Sequence, residues 1–271
     1  MKRLYCLFII ILYLAISIPS YAQFTINGKH IIYDKQNDTY MACIPEDAFG
    51  KDYEAIILLD IASDWSDLSI DGTQIAYSYT FKQVEGNKLY SIHARKGNKE
   101  INTKITFTFL PLLVLQGSFG YDYAQGSMSL YSPDATEPTI SLIKAKWRGG
   151  STNTADKHKR NYKIKSINFK GKSQDISLLG MREDNNWIMD AGQIDLFRLR
   201  NRIATEIWND FATKPYYASK EPKAKSGVTG KVVEVILNNE YRGIYSLTEA
   251  MDRNSRNTMI RIRSFTASFG R

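Results

Sequence analysis

The chain has 271 residues, and its 43% hydrophobic and 24% charged residues are the composition of an ordinary globular protein, which excludes a wholly disordered chain. Its formal charge of +8 indicates anionic partners without identifying them. Of its two cysteines, Cys6 lies in an apolar N-terminal run, so Cys43 has no partner for an internal disulfide. We expect Cys43, with Met41, Ala42 and Ile44 around it, to be a buried apolar side chain.

The first 22 residues have the three-part layout of a secretory signal peptide. Lys2 and Arg3 precede an apolar run over residues 4–18, and the small-x-small sequence Ser20-Tyr21-Ala22 follows it. The run is shorter than the roughly 20 residues that span a bilayer core. We therefore expect residues 1–22 to be cleaved and the mature protein to be secreted, or to stay in the periplasm or cell envelope, with no stable membrane span.

Residues 23–137 have the pattern of an antiparallel β domain. Asn27-Gly28 separates two short apolar runs, which is a strong hairpin signal. A second hairpin is expected around Gly97-Asn98. The strands predicted from apolar runs and alternation are Phe24–Ile26, His30–Tyr33, Tyr53–Leu59, Ile75–Phe81, Leu89–Ala94 and Ile101–Phe109.

The proline-punctuated stretch over residues 132–138 predicts a domain boundary, after which the pattern changes. The second region, residues 138–253, is predicted to run strand, loop, strand, helix, hairpin. Asp195 begins the clearest helix, which is predicted to end at Phe211 with apolar residues every three or four positions. The strands are predicted at Thr139–Trp147, Tyr162–Phe169, Val232–Leu237 and Tyr241–Leu247.

A basic segment stands out in this second region. From Lys144 to Lys172 there are ten lysines and arginines and one acid, Asp156. Within it, the glycine-bearing turn Arg148–Asn153 is a plausible cradle for phosphates, because backbone amides and fixed cations bind anions. A solvated basic surface and a nucleic-acid patch are the alternatives. Strand alternation places Lys163 and Lys165 on one face and the apolar residues between and beside them on the other.

Several ordered blocks of the second region form a recognisable pattern, the longest of them at Lys146–Thr152, Asn161–Lys165 and Val233–Glu249. These blocks resemble the RGNST, KKxYKIK and VEVYLNGEYxGxYxLTE motifs of the CotH-like (spore coat protein H) kinase family. The blocks Leu178–Met181, Asn186–Ile188 and Arg200-Asn201 follow the same pattern, so the resemblance extends over Thr139–Arg253.

The resemblance implies a secreted, atypical protein kinase that uses ATP and Mg²⁺ to phosphorylate Ser/Thr-rich secreted or surface proteins. For residues 138–253 it implies a partial protein-kinase-like small lobe, which together with the preceding antiparallel β domain gives an expected α+β fold. The residues that would bind the nucleotide are then Arg148, Ser151, Thr152, Lys163, Lys165, Glu206 and Glu249. Either Lys163 or Lys165 would contact the phosphates, Glu249 would lie near the adenine hinge, and Glu206 would either pair with the lysine or face solvent.

No catalytic residue or metal ligand is assigned, because the carboxylates of a kinase-like fold lie in the large lobe. The three histidines are scattered, which makes a metal site unexpected. Residues 254–271 contain no acid, and we expect them to be an atypical tail, either out of frame or a natural extension. We therefore expect the chain to be truncated after the small lobe and, without the large lobe, to be inactive alone.

Two other functions stay open. A non-enzymatic β-rich module for binding or adhesion would use Trp65, Tyr77 and Tyr79 to stack on sugars. Nucleic-acid binding rests only on the basic segment, and we do not expect it. The oligomeric state is not predicted.

Overall fold

The computed structural model describes residues 24–59, 66–96, 99–150, 152–154, 156, 158–195, 197–213, 219 and 227–251. Its strands form a four-stranded sheet, a six-stranded sheet and a closed seven-stranded barrel. The signal peptide predicted at residues 1–22 and the tail predicted at residues 254–271 lie outside the described residues. In the described part of the chain, no helix is both long and apolar enough to cross a membrane.

Over its described residues, the N-terminal unit consists of ten strands and one 3-10 turn, Glu46–Ala48. The four-stranded sheet has the order β2-β1-β5-β8, with β1 at Phe24–Ile26, β2 at Lys29–His30, β5 at Tyr53–Leu59 and β8 at Ser78–Phe81. The six-stranded sheet has the order β3-β4-β10-β9-β6-β7, with β3 at Ile32–Asp34, β4 at Thr39–Cys43, β6 at Ser66–Ile70, β7 at Thr73–Gln74, β9 at Tyr90–Lys96 and β10 at Lys99–Thr108.

These two sheets share one hydrophobic core. Ile26 and Phe81 from the smaller sheet pack in one buried cluster with Tyr40 and Phe107 from the larger one. Phe81 and Phe107 lie edge to face with their ring centroids 4.7 Å apart, a favoured aromatic geometry. The unit is therefore a two-sheet sandwich. It is not purely antiparallel as predicted, because β4 and β10 pair in parallel.

The first predicted hairpin is confirmed. Ile26 pairs with Lys29, and the two residues between them, Asn27 and Gly28, have φ of 51° and 75°. Two residues with positive φ form the type I′ turn, whose twist matches that of the flanking strands. The strand predicted from Ile75 is wrong at its start, because β8 begins only at Ser78.

The barrel draws its strands from both sides of the boundary predicted at residues 137–138. Its order is β11-β12-β13-β14-β15-β17-β16. These strands are β11 at Leu112–Gln116, β12 at Ala124–Tyr131, β13 at Thr139–Arg148, β14 at Asn161–Ile167, β15 at Asn186–Asp190, β16 at Gly230–Leu237 and β17 at Glu240–Glu249. Neighbours are antiparallel except β11 and β16, whose parallel pairing closes the barrel.

The predicted kinase-like α+β small lobe is wrong. The region is a closed β-barrel, and α1 (Arg200–Phe211) is the one α-helix among the described residues. The physical reason lies in β11 and β12: both precede the predicted lobe, and they add to its sheet and close it. Closure leaves no unpaired strand edge in that sheet.

The barrel interior follows the alternation of its strands. Ile164, Trp187, Met189 and Leu247 are fully buried in one cluster that also contains Tyr162. Because Tyr162 and Ile164 point inward, Lys163 and Lys165 point to the outer face, as the alternation predicts.

Helix α1 begins five residues later than predicted. Arg198 has φ of 58°, a left-handed conformation that interrupts a right-handed helix. Asp195 still caps the first turn, since its carboxylate accepts hydrogen bonds from the N–H of Phe197 at 3.1 Å and of Arg200 at 2.8 Å. The apolar side chains Ile203 and Phe211 are exposed, so the apolar stripe of this helix does not join the core.

Polar contacts join the sandwich to the barrel. The Thr108 hydroxyl donates a hydrogen bond to the buried Glu234 carboxylate at 2.8 Å, and Tyr241 N–H donates one to Asp34 at 3.1 Å. Burial raises the pKa of Glu234. A small apolar cluster contains residues of both units, among them Cys43 of the sandwich and Leu112 of the barrel. The two units therefore share a packed, hydrogen-bonded interface.

The Cys43 thiol is predicted to be unreactive in the folded protein. Its burial is confirmed, and desolvation raises its pKa to about 11. Since the thiolate is the reactive species, a chain that starts at Gln23 should react with a disulfide reagent at pH 8 at least about tenfold more slowly when folded than in guanidinium. Absorbance of the released thiol measures both rates. Equal rates would contradict the packing described for this residue.

Candidate functional site

Four lysines face each other on the outer face of the barrel. In the β13–β14 ladder, Lys146 is opposite Lys163 and Lys144 is opposite Lys165. The residues between them, Ala145 and Ile164, are fully buried and fix the outward direction of the lysines. We call these four residues, two of which were predicted as binding residues, the lysine ladder.

The lysine ladder concentrates positive charge. In the described part of the chain, no carboxylate lies within ion-pair distance of its ammonium groups, and like charges directly opposite on neighbouring strands repel. Tyr123 offers partial compensation, since the ammonium groups of Lys146 and Lys165 lie 5.0 and 5.1 Å from its ring centroid. An anion bound here would relieve the remaining repulsion.

The glycine-bearing turn starts at the end of the ladder. Gly149 has φ of +106°, and a Cβ built on it would lie 2.1 Å from the Thr152 hydroxyl oxygen, so only glycine fits. Asn161 fixes the turn through its side chain. The side-chain N–H donates to the Thr152 hydroxyl at 3.2 Å, and the side-chain oxygen Oδ1 accepts from Ala191 N–H at 2.7 Å. Arg148 is exposed beside the turn, whereas Ser151 lies outside the described residues.

The far end of this loop is also basic. The Arg160 guanidinium donates to Asn153 Oδ1 at 3.1 Å and lies 4.8 Å from the Trp147 ring. The Lys159 ammonium donates to the carbonyl of Ile244 and lies 4.2 Å from the Tyr245 ring. Burial lowers the pKa of Lys159 to about 8. The Lys159 contacts hold this end of the loop against β17.

Glu206 lies away from the lysine ladder. Its carboxylate pairs with Arg202 one helical turn earlier, at 3.1 Å. Arg202 is buried against Gly230, where an added Cβ would lie 2.2 Å from the guanidinium. The Glu206 carboxylate therefore contributes to docking α1 on the barrel, through Arg202.

Glu249 is buried at the end of β17. Its carboxylate accepts hydrogen bonds from the backbone N–H of Arg182 at 3.1 Å and of Thr229 at 3.0 Å. It is opposite Trp187, a core residue, so it belongs to the inward-facing positions. The Glu249 carboxylate connects three segments of backbone.

Of the predicted binding residues, Lys163 and Lys165 lie together on the ladder, and Arg148 and Thr152 lie at its end, whereas Glu206 and Glu249 lie elsewhere. The missed partners are Tyr123 and Asn161. Asn161 lies in one of the blocks that resemble the family, but its hydrogen bonds to Thr152 and Ala191 become apparent only when the loop and the strand are in place. Nothing in the sequence points to Tyr123, because this residue comes just before β12 and so falls outside the alternation of a strand. No group of three His, Cys, Asp or Glu suited to a metal is present within the described ranges.

Two of the three aromatic residues of the alternative adhesion surface lie in the described part of the chain. Tyr77 is exposed, but Tyr79 packs edge to face on Phe81 with ring centroids 4.8 Å apart. Trp65 lies outside the described residues.

Comparison with known proteins finds a match for one segment in the second part of the chain. Residues 145–264 match the family model described as CotH kinase protein. The resemblance predicted from the motifs is thus confirmed for this segment, and the match continues past Arg253 to residue 264. No curated protein matches the chain.

Proposed function

Because residues 145–264 carry a match to the CotH kinase family, we propose that the lysine ladder and the turn at its end bind the phosphates of ATP. On this proposal the chain is a secreted CotH-like protein of the atypical kinase type, acting outside the cytoplasm on Ser/Thr-rich secreted or surface proteins. The observation that carries the proposal is the opposition of Lys146 to Lys163 and of Lys144 to Lys165.

The ladder fits a polyphosphate by charge and by spacing. Neighbouring strands lie about 4.8 Å apart, so facing lysines can contact neighbouring phosphate groups at the same time. Ammonium–phosphate hydrogen bonds are stronger than neutral ones. The ammonium groups of Lys146 and Lys165 lie near the same Tyr123 ring, so these two cations are close together on the outer face.

The turn extends the ladder at one end. Arg148 lies two residues after Lys146 on β13 and shares its outer face. In the strand register it is opposite Asn161 of β14. The following residues, Gly149 and Gly150, carry no side chain of their own, and backbone N–H groups of such turns can bind anions. The Asn161 tie holds them in place before a ligand arrives.

Mg²⁺ would arrive with the nucleotide and supply charge neutralisation between its phosphates. A kinase also needs carboxylates that hold the metal and orient the acceptor hydroxyl. The structure assigns no described residue to that role. Nucleotide binding is therefore the part of the proposal that these residues carry, and phosphorylation of a protein is its extension.

The test is thermal unfolding with and without ATP and Mg²⁺. A ligand at 100 times its Kd stabilises the folded state by about 2.7 kcal/mol, which raises Tm by several degrees. The double change Lys163→Ala and Lys165→Ala should weaken this stabilisation at least tenfold in apparent Kd. The matched control, Lys51→Ala with Lys104→Ala, removes the same charge from exposed positions of the sandwich and should keep it.

Two results would overturn nucleotide binding at the ladder. One is the absence of any Tm shift in the unchanged protein at saturating ATP and Mg²⁺. The other is an equal loss of the shift in both double variants, which would indicate general charge attraction.

A further inference from the structure

A second feature lies beside the ladder on the same outer face of β13. Ile140 and Leu142 are 67% and 43% exposed, and Phe169, in the turn after β14, is 85% exposed. Apolar side chains of this size are normal on a surface when scattered singly, but a group of them marks a contact surface. We call these three residues, with Lys170 and Lys172, the apolar-basic face.

The strand register places these residues together. Leu142 is opposite Ile167, the last residue of β14, and Phe169 follows two residues later. The turn folds back, since Ile167 also bridges to Ser173. The Lys144 ammonium lies 3.5 Å from the carbonyl of Gly171, so the turn is next to the end of the ladder.

The turn is held rigidly. The Asn168 side chain accepts hydrogen bonds from the N–H of Lys170 at 2.9 Å and of Lys172 at 3.1 Å. Asn168 N–H donates to the carbonyl of Lys172 at 2.9 Å, and Gly171, with φ of 71°, donates to the carbonyl of Asn168 at 2.8 Å. Phe169 is therefore exposed by a fixed backbone and not by a loosely folded segment.

The charge around this tip has one sign. Lys170 and Lys172 are exposed beside Phe169, and the segment from Thr139 to Lys172 contains ten basic residues and one acid. An aromatic tip flanked by lysines suits a bilayer interface, where the ring enters the boundary between headgroups and acyl chains and the lysines stay with anionic headgroups.

We propose that the apolar-basic face binds the surface of a membrane that contains anionic lipids, with Phe169 as the inserted residue and Lys170 and Lys172 at the headgroups. This is peripheral binding and does not depend on nucleotide binding. Each lysine near an anionic surface strengthens binding about fivefold, so the face would act together with Lys144 of the ladder.

The experiment measures co-sedimentation of the chain that begins at Gln23 with two kinds of vesicle, one of phosphatidylcholine alone and one of phosphatidylcholine with about 30% phosphatidylglycerol. Binding is expected only to the anionic vesicles and should fall in high salt. Phe169→Ala should weaken it about fivefold or more. Phe211→Ala is the matched control, because Phe211 is 82% exposed on α1, away from the face.

Two double variants that reverse lysine charges complete the design. Lys170→Glu with Lys172→Glu should abolish vesicle binding, whereas Lys51→Glu with Lys104→Glu on the sandwich should weaken it only slightly. Unchanged Tm shows that each variant is folded. The proposal is overturned if the unchanged protein ignores anionic vesicles, if Phe169→Ala and Phe211→Ala behave alike, or if an acidic protein or a nucleic acid competes fully at stoichiometric concentration. The Tm shift with ATP reports separately on the ladder.

Discussion

A chain that begins at Ala145, the first residue of the family match, is expected not to fold. It lacks two of the seven barrel strands, β11 and β12, and also residues 139–144, which are six of the ten residues of β13. Leu113 and Leu115 of β11 and Met128 of β12 are fully buried in the barrel core. Without them β14 and β16 each lose a partner strand over much of their length, and the apolar interior is open to water.

The measurement is circular dichroism during heating, together with size-exclusion chromatography. The control is a chain that begins at Phe24, which removes only residues outside the described structure and should unfold cooperatively as a monodisperse protein. Cooperative unfolding of the chain from Ala145, at a Tm near that of the control, would show that the barrel does not depend on β11 and β12.

Replacing Trp187 with alanine is expected to lower the free energy of unfolding by about 3–5 kcal/mol. Trp187 has no exposed surface and lies between Ile164 on β14 and Glu249 on β17. Its removal leaves a cavity in the middle of the barrel, which the closed sheet cannot collapse to fill. Guanidinium unfolding followed by circular dichroism measures the change.

Two variants make this result specific. Trp208→Ala on α1 should change stability by less than about 0.5 kcal/mol, because that side chain is 57% exposed. Trp187→Phe should lose less than half as much as Trp187→Ala, because the ring is kept and the indole N–H has no hydrogen-bond partner among the described residues. Similar losses for Trp187→Ala and Trp208→Ala would contradict the assignment of Trp187 to the core.

Local features of this fold were predictable where turn chemistry decides them. Asn238 and Asn239 have φ of 53° and 63°, which asparagine tolerates better than most residues, so the hairpin between β16 and β17 is readable from the sequence. The outward direction of Lys163 and Lys165 followed in the same way from strict alternation over one strand.

The barrel itself was not predictable by this route. A short apolar strand such as Leu112–Gln116 does not indicate its partner, and β11 pairs with a strand more than a hundred residues later. The apolar periodicity of α1 did not predict whether the helix is buried, for a related reason. It correctly indicated a helix through Ile203 and Phe211, but whether an apolar face is covered depends on what packs nearby.

The candidate site divides in the same manner. Lysines of equal parity on two predicted strands are visible in the sequence, whereas their register, which sets Lys146 opposite Lys163, is fixed by the whole sheet. Glu206 and Glu249 were assigned from the resemblance alone. Their partners, Arg202 and the two backbone N–H groups, are set by tertiary packing that no local pattern encodes.

The parallel seam between β11 and β16 also bears on how fast the protein can fold. Leu112 meets Glu234 only after the intervening chain has formed a long loop, and contacts so distant in sequence slow folding to milliseconds or longer. Until the seam closes, both strands present free edges to other chains. Refolding yield should therefore fall as protein concentration rises, with the seam as the vulnerable step.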